Sequence, residues 1–215
     1  MLAREAAKVL DAVTAATART RRAGRADPRL VVALKPGGDG GLLPGILAAY
    51  PAHPDAMEVE LVLCGVAERA RLVREGTADV AFLHSPYEDL TGLGSEPLLS
   101  EGGVAVMPAG HPLAGRELVR LADLDAVPLP RWPRDHSEIT DPATLLQLVA
   151  LGRLVLVAPA SVRELVRRDL VCVPVADGPP TTVVLAWPEE SRSRALAAFV
   201  RTAAAVAKGH SDSGE

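Results

Sequence analysis

The glycine-rich loop over residues 35–41 (KPGGDGG) carries the residue types best suited to binding an anion. It follows an apolar run typical of a buried strand and precedes a predicted helix. The first N–H groups of a helix have no partner inside the helix and carry partial positive charge, and glycines allow a ligand to approach the backbone closely. The loop therefore predicts a site for a carboxylate or another anion. The candidate ligand contacts are Lys35, which supplies a counter-charge, and Gly37, Gly38, Asp39 and Gly40.

A second interpretation of the same loop needs no ligand. Asp39 can pair with Lys35, or its carboxylate can accept from the helix N–H groups that an anion would use. The loop is then a mobile turn. It also lacks the Gly-Lys-Ser or Gly-Lys-Thr ending of a nucleotide-hydrolase phosphate loop, so a loop of that kind is not predicted. At the level of the sequence, the anion site and the ligand-free turn both stay open.

His84 and Ser85 directly follow an apolar run over residues 79–83. Because the ligands of open α/β sheets bind beyond the carboxyl ends of the strands, both side chains are candidate ligand contacts. The alternative for His84 is a loop residue at the protein surface. The sequence does not decide between these two positions.

No pattern of catalytic or metal-binding residues stands out. The sequence has neither a Gly-x-Ser-x-Gly elbow nor a His-Glu-x-x-His motif, and its five histidines are scattered. Cys64 and Cys172 lie in apolar runs and form no Cys-x-x-Cys pair, so both are predicted to pack as small apolar side chains. We therefore predict no catalytic residue, no metal site and no cofactor.

The charge balance argues against nucleic acid as a direct partner of these residues. Lys and Arg number 23 against 27 Asp and Glu, which gives a formal net charge of −4, whereas chains that bind phosphate backbones usually present a basic face. No apolar run approaches the ~18 residues of a membrane span, and charged residues near the N-terminus interrupt any signal-peptide core. We therefore predict a cytoplasmic location and no membrane partner.

Apolar runs and helical periodicity alternate along the chain, which favours an α/β fold with parallel strands. Four prolines between residues 128 and 142 predict an irregular connection between two such units. Predicted strands span 30–34, 57–63, 79–83, 103–107, 153–157, 170–175 and 181–187, and predicted helices span 2–22, 42–50, 66–75, 121–124, 143–151, 161–168 and 191–208. They divide the chain into a linker helix (1–24), a first lobe (28–127 and 181–208) and a second lobe (128–180).

Four segments, in order, resemble the effector-binding part of LysR-type transcriptional regulators. They are residues 30–36 with 42–44, residues 72–82, residues 96–99 with 104–114, and residues 148–152 with 155–161. Residues 2–22 resemble the linker helix of that family. The resemblance implies a periplasmic-binding-protein type 2 fold, in which two Rossmann-like lobes, joined by two crossover strands, flank a ligand cleft.

The resemblance also implies partners and one further site residue. A regulator of this family is expected to bind a small-molecule effector between the lobes and to form a homo-oligomer, either a dimer or a tetramer. It contacts DNA through an N-terminal winged helix-turn-helix, which we expect to be absent from residues 1–215. Thr140 stands where the second lobe would meet the effector, and its alternative role is that of a helix-capping hydroxyl.

Two departures from the family pattern affect these expectations. Residues 131–141 are fewer than the family usually has at this point, so the second lobe is predicted to be shortened, with one strand missing or distorted. Lys35 also stands where the family often has a hydroxyl residue.

The sequence as a whole predicts an effector-sensing regulatory domain. Two alternatives come from other functional classes. One is a solute-binding protein of a transport system, and the other is a naturally truncated dimerisation partner of a full-length regulator.

Overall fold

The computed structural model describes residue 17 and residues 27–65, 68–127, 131–132 and 141–212. Apart from Thr17, the predicted linker helix lies outside the described residues, and so does Thr140. The chain divides into two units, the first comprising Met1–Leu99 with Thr182–Glu215 and the second Ser100–Thr181. Each unit is built on a β-sheet that packs against helices.

Strands and helices alternate along much of the chain, as the apolar pattern predicts. In chain order they begin with β1 (Arg29–Leu34), α1 (Leu43–Ala49), β2 (Glu58–Leu63), α2 (Arg69–Arg74), β3 (Val80–Ser85), β4 (Leu93–Glu101), β5 (Gly103–Pro108) and α3 (Leu121–Asp125). They continue with β6 (Arg131–Trp132), α4 (Pro142–Ala150), β7 (Val155–Pro159), β8 (Leu170–Val175), β9 (Thr181–Pro188) and α5 (Arg194–Asp212). Short 3₁₀ helices span Tyr50–Ala52 and Ala160–Leu165.

The first sheet has the strand order β2-β1-β3-β9-β4, with β1 parallel to both β2 and β3, and β9 antiparallel to β3. Its central strands are buried on both faces. Leu30 and Val32 pack with α1 and α5, whereas Val31 and Ala33 pack with α2. This division follows from the pleat, which turns successive side chains to opposite faces. The predicted parallel β-α-β-α-β arrangement is confirmed.

An aromatic pair ties α5 to the segment that follows α1. The rings of Tyr50 and Phe199 have their centroids 5.2 Å apart at an interplanar angle of 79°, an edge-to-face arrangement. The Tyr50 hydroxyl donates to the Ala195 carbonyl at 3.1 Å and accepts the Met57 N–H at 3.2 Å. Because both rings are buried, the pair joins α5, the end of α1 and the start of β2 in one core.

The second sheet has the order β6-β7-β5-β8, with β5 antiparallel to β7 and β8, and β6 parallel to β7. The sequence prediction placed β5 in the first lobe, with the lobe boundary after residue 127. The structure instead places β5 in the middle of the second sheet, packed between α4 on one face and α3 on the other. An apolar run such as Val104–Met107 shows that a strand is buried but not which strands it pairs with, and both partners of β5 lie far along the chain.

Three local elements differ from the sequence prediction. β4 was not predicted, because it is half-exposed and contains Pro97. β6 is a two-residue strand inside the proline-rich stretch that was predicted to be irregular. A 3₁₀ helix replaces the α-helix predicted to start with Ser161 as its cap, and the Ser161 N–H donates to the Glu101 carboxylate at 2.6 Å.

Both boundaries between the units fall within strands that are neighbours in the first sheet. One boundary, Leu99/Ser100, lies in β4, and the other, Thr181/Thr182, lies in β9. The chain therefore passes between its units through two adjacent strands, in agreement with the two crossover strands that the resemblance implies.

Replacing Gly94 with alanine should displace the indole of Trp187. A Cβ at position 94 would lie 2.9 Å from Trp187 Nε1 and 3.1 Å from Cε2, inside normal van der Waals contact. We expect a destabilisation of about 1–3 kcal/mol from this overpacking and an altered tryptophan emission spectrum. Gly102→Ala is the matched control, since a Cβ there meets nothing within 4 Å. An unchanged spectrum for Gly94→Ala would show that the indole does not rest on this glycine.

Candidate functional site

The carboxyl ends of β1, β2 and β3 lie at one edge of the first sheet. Parallel pairing aligns Leu34 of β1 with Leu63 of β2. Cys64, the residue that follows β2, donates its N–H to the Leu34 carbonyl at 3.0 Å. Lys35 follows β1 directly, and His84 and Ser85 end β3, which is parallel to β1. The structure therefore brings three of the sequence-predicted contacts to the same sheet edge.

A tight turn gives the glycine-rich loop its shape. The Gly38 N–H donates to the Lys35 carbonyl at 2.9 Å, and Gly37 and Gly40 adopt φ values of 64° and 61°, which glycine alone adopts without strain. A Cβ on Gly38 would lie 2.5 Å from Lys35 Cγ and 3.2 Å from Cε. The aliphatic stem of Lys35 thus lies across Gly38, and the absence of a side chain at position 38 is what allows this path.

Asp39 lies in the loop, four residues before the first residue of α1, Leu43. Its carboxylate accepts the Leu43 N–H at 3.1 Å, and its carbonyl accepts the Leu42 N–H at 3.2 Å. The Leu43 N–H is one of the helix donors that an anion was expected to use. It is already hydrogen-bonded to Asp39, as the interpretation that needs no ligand predicts. An anion at this edge would depend mainly on the charge of Lys35.

His84 lies in a buried polar network, and its alternative position in a surface loop is wrong, because the residue is only 5% exposed. Arg69 of α2, which is 0% exposed, donates from Nη1 to the Phe82 carbonyl at 2.6 Å, and the same nitrogen lies 3.3 Å from His84 Nδ1. Arg69 Nη2 forms an ion pair with Glu88 Oε2. That oxygen also accepts the His84 backbone N–H at 2.9 Å. The network joins α2 to the turn that follows β3.

Burial governs the proton affinities at this edge. It lowers the pKa of His84 below its usual value; Glu88 opposes this shift, and the cations Lys35 and Arg69 reinforce it. Burial also lowers the pKa of Arg69, opposed by Glu88, although a guanidinium keeps its proton in proteins. The pKa of the Cys64 thiol is raised, mainly by burial, which favours an inert thiol over a nucleophilic thiolate. Near neutral pH, the edge therefore presents a neutral imidazole close to a cation.

Three buried polar atoms of the network have no hydrogen-bond partner among the described residues. They are Arg69 Nε, His84 Nε2 and Glu88 Oε1. A fourth such atom, Glu101 Oε1, belongs to the second unit. Because buried polar groups in folded proteins are nearly always paired, three unpaired atoms on three adjoining side chains mark this network as a place where a further partner would be stabilising.

Both units of the chain match one known family. The model of the LysR substrate binding domain covers residues 23–208. The chain belongs to the LysR family. A relative within it, the Hca operon transcriptional activator HcaR of Escherichia coli, is 25% identical over 91% of this chain and 74% of its own length.

Solved structures agree with the LysR assignment at the level of the fold. The reduced form of OxyR matches with a TM-score of 0.69 and 23% identity, covering 86% of this chain and 98% of that chain. The effector-binding domain of a BenM variant matches with a TM-score of 0.68 and 22% identity, covering 85% of this chain and 96% of that chain. The predicted periplasmic-binding-protein type 2 fold is confirmed, and the chain is the effector-binding part of a LysR-type transcriptional regulator.

Sequence reasoning missed two residues of this LysR domain, Arg69 and Glu88. A signal for Arg69 existed: it stands four residues before Val73, which lies on the inner face of α2, and residues four apart share a helix face. A charged residue at such a position requires a buried partner. Glu88 follows His84 by four residues in a turn, and nothing in its sequence neighbourhood indicates burial.

The second unit of the LysR domain contains an open cavity of about 610 Å³ that none of the predicted contacts lines. It lies between α3 and the turn after β5. His111 has a structural role in that turn, because its Nδ1 accepts the Leu113 N–H at 3.2 Å. Among the lining residues are His111, Leu113, Arg116, Asp123 and Val127.

The two cysteines of the LysR domain are free thiols, and both are half-buried. Cys64 packs against the core between α2 and the first sheet, and Cys172 packs against the core beneath α4, so the predicted packing role is confirmed for both. Within the described residues, no group of three or more His, Cys, Asp or Glu side chains is arranged to hold a metal ion. No helix in the described part of the chain is long and apolar enough to cross a membrane.

Proposed function

We propose that this LysR domain senses a small anionic effector at the carboxyl edge of β1 and β3. The observation that carries the proposal is the combination, at that edge, of a cation on Lys35 and a buried imidazole on His84 with an unpartnered nitrogen. The proposed contacts are Lys35, Gly37, Gly38, Gly40, His84 and Ser85. A ligand contact by Asp39 or Thr140, and an effector position between the two lobes, stay predictions from the sequence.

Sensing requires the effector to bind one conformation of the protein more tightly than another. We infer that effector binding shifts the population toward that conformation, and that a homo-oligomer transmits the shift to the DNA-binding module of the regulator. In this proposal the chain acts in the cytoplasm and catalyses no reaction. The membership of both units in the LysR family supports a regulator over a transport protein.

A thermal-shift screen of small carboxylates and amino acids tests this proposal. A ligand present at 100 times its Kd should stabilise the folded chain by about 2.7 kcal/mol. Lys35→Met keeps an aliphatic stem across Gly38 but removes the charge. We expect this variant to bind a stabilising carboxylate about 10- to 100-fold more weakly, because a hydrogen bond to a charged group contributes about 1.5–3 kcal/mol.

Arg194→Met provides the control, since Arg194 is exposed at the start of α5, next to Ala195, whose carbonyl accepts from Tyr50 at the end of α1 far from the glycine-rich loop. It should retain the full carboxylate-dependent shift in melting temperature. The proposal is contradicted if no carboxylate stabilises the wild-type chain, or if Lys35→Met responds to the carboxylate as the wild-type chain does.

A further inference from the structure

We propose that Arg69 holds His84 as a neutral imidazole protonated at Nε2, and that this makes His84 the residue that selects a hydrogen-bond acceptor on the effector. The inference rests on the proposed function, because it concerns the same sheet edge. It assigns Arg69 as a positioning residue, which acts through His84, and it predicts the polarity of the effector atom that His84 contacts.

The hydrogen-bonding capacity of arginine determines which nitrogen of His84 carries the proton. A guanidinium has five N–H donors and no acceptor. Arg69 Nη1 lies 3.3 Å from His84 Nδ1 and also donates to the Phe82 carbonyl. For the contact between the two nitrogens to be a hydrogen bond, Nδ1 must accept. In a neutral imidazole with an accepting Nδ1, the proton resides on Nε2.

Glu88 is the competitor, since a carboxylate would favour a proton on Nδ1. Its Oε2 lies 3.7 Å from Nδ1, beyond hydrogen-bonding distance. The same oxygen is already occupied by Arg69 Nη2 and by the His84 backbone N–H. His84 Nδ1 lies closer to Arg69 Nη1 than to Glu88 Oε2, and Glu88 Oε2 already accepts two other hydrogen bonds. Both observations favour a His84 ring that is protonated at Nε2.

The surroundings of His84 also disfavour a positively charged, doubly protonated ring. The titratable groups that act on His84 are Glu88, which favours protonation, and Lys35 and Arg69, which oppose it, while burial opposes it most strongly. A doubly protonated ring would also direct its Nδ1–H at an Arg69 N–H. His84 therefore presents an uncharged N–H at Nε2.

The Nε2–H of His84 is buried and has no partner among the described residues. A buried donor without an acceptor is costly, and an acceptor that reaches it recovers that cost. A carboxylate or carbonyl oxygen satisfies the donor, whereas an ammonium group brings a second donor and a charge. Sites built to hydrogen-bond a particular group discriminate strongly against analogues that cannot pair with it. The selected ligand class is therefore small molecules whose oxygen acceptor reaches His84 while the charge of Lys35 is nearby.

Long-range ¹H–¹⁵N NMR of the histidine rings in the full 215-residue chain, without ligand, tests the tautomer directly. We expect His84, identified by the loss of its signals in His84→Gln, to show a protonated Nε2 and an unprotonated Nδ1. His111 serves as an internal reference, because its Nδ1 accepts a backbone N–H and its ring should show the same pattern. If the His84 ring is protonated at Nδ1, or at both nitrogens, the inference is wrong, whichever ligands the chain binds.

The role of Arg69 is tested separately. A through-hydrogen-bond coupling between Arg69 Nη1 and His84 Nδ1 is expected in the wild-type chain, and its absence contradicts the role of Arg69. In Arg69→Met the Nδ1-protonated form should become populated, because Glu88 is then the remaining partner. An unchanged tautomer in a folded Arg69→Met chain also overturns the inference. The coupling measurement decides the question if that variant does not fold.

Ligand selection is read from the same spectra with propionate and propylamine as matched probes. We expect propionate to shift the His84 ring signals and propylamine to leave them unchanged. If a carboxylate stabilises the chain in the thermal-shift screen but neither it nor propionate moves the His84 signals, the selecting role of His84 is wrong. If no carboxylate stabilises the chain, the proposed function is wrong. The assignment of the His84 tautomer is still tested by the spectrum recorded without ligand.

Discussion

Replacing Arg69 with methionine should lower the free energy of unfolding by about 3–5 kcal/mol, the usual cost of removing one partner from a buried ion pair. Arg69 is fully buried and its partner Glu88 is only 8% exposed, so the variant leaves a carboxylate in the protein interior without its counter-charge. The Phe82 carbonyl also loses its 2.6 Å donor. Urea unfolding followed by circular dichroism measures the change.

Arg71→Met is the control on the same helix. Arg71 forms its own ion pair with Glu75, but its side chain is 52% exposed, so solvent screens the pair and we expect little change in stability. The double variant Arg69→Met/Glu88→Gln should recover part of the loss, because it removes the unpaired charge together with its partner. Equal and small effects for Arg69→Met and Arg71→Met would show that the buried pair does not stabilise the fold.

Phe199→Ala should cost about 3–5 kcal/mol as well, for a different physical reason. The ring is completely buried between α5 and the first sheet, and its edge-to-face contact with Tyr50 is lost together with its van der Waals contacts. The same unfolding measurement applies. Tyr87→Ala removes an aromatic ring that is 57% exposed and should change stability little. A loss below about 1 kcal/mol for Phe199→Ala would mean that the core collapses around the missing ring.

The sequence predicts the first sheet well because its strands carry strong local signals. β1 and β3 are continuous apolar runs, since helices cover both faces of the sheet, and the helices between them show a clear inner face. The same runs also indicate where the strands end, so the sequence alone predicts that Lys35, His84 and Ser85 stand at the carboxyl ends of β1 and β3.

Pairing partners and burial of polar groups are less visible in a sequence. The run that forms β5 fits either sheet, and only its distant partners β7 and β8 decide its place. β4 has no apolar alternation to mark it, because six of its nine residues are glycine, serine, glutamate or proline and its three leucines do not alternate with them. Arg69 and Glu88 have residue types that usually lie at the surface, and their burial depends on a contact between a helix and a turn 19 positions later.

The chain leaves the first unit through β4 and returns to it through β9. The second unit is therefore an insertion between two segments of the first unit. Among the described residues, neither core cluster of the first unit contains one from 100–181. The residues that flank the second unit, Leu99 and Thr182, lie on strands that are adjacent in one sheet. The first unit therefore carries its sheet and its apolar cores on two separate stretches of sequence, residues 1–99 and 182–215.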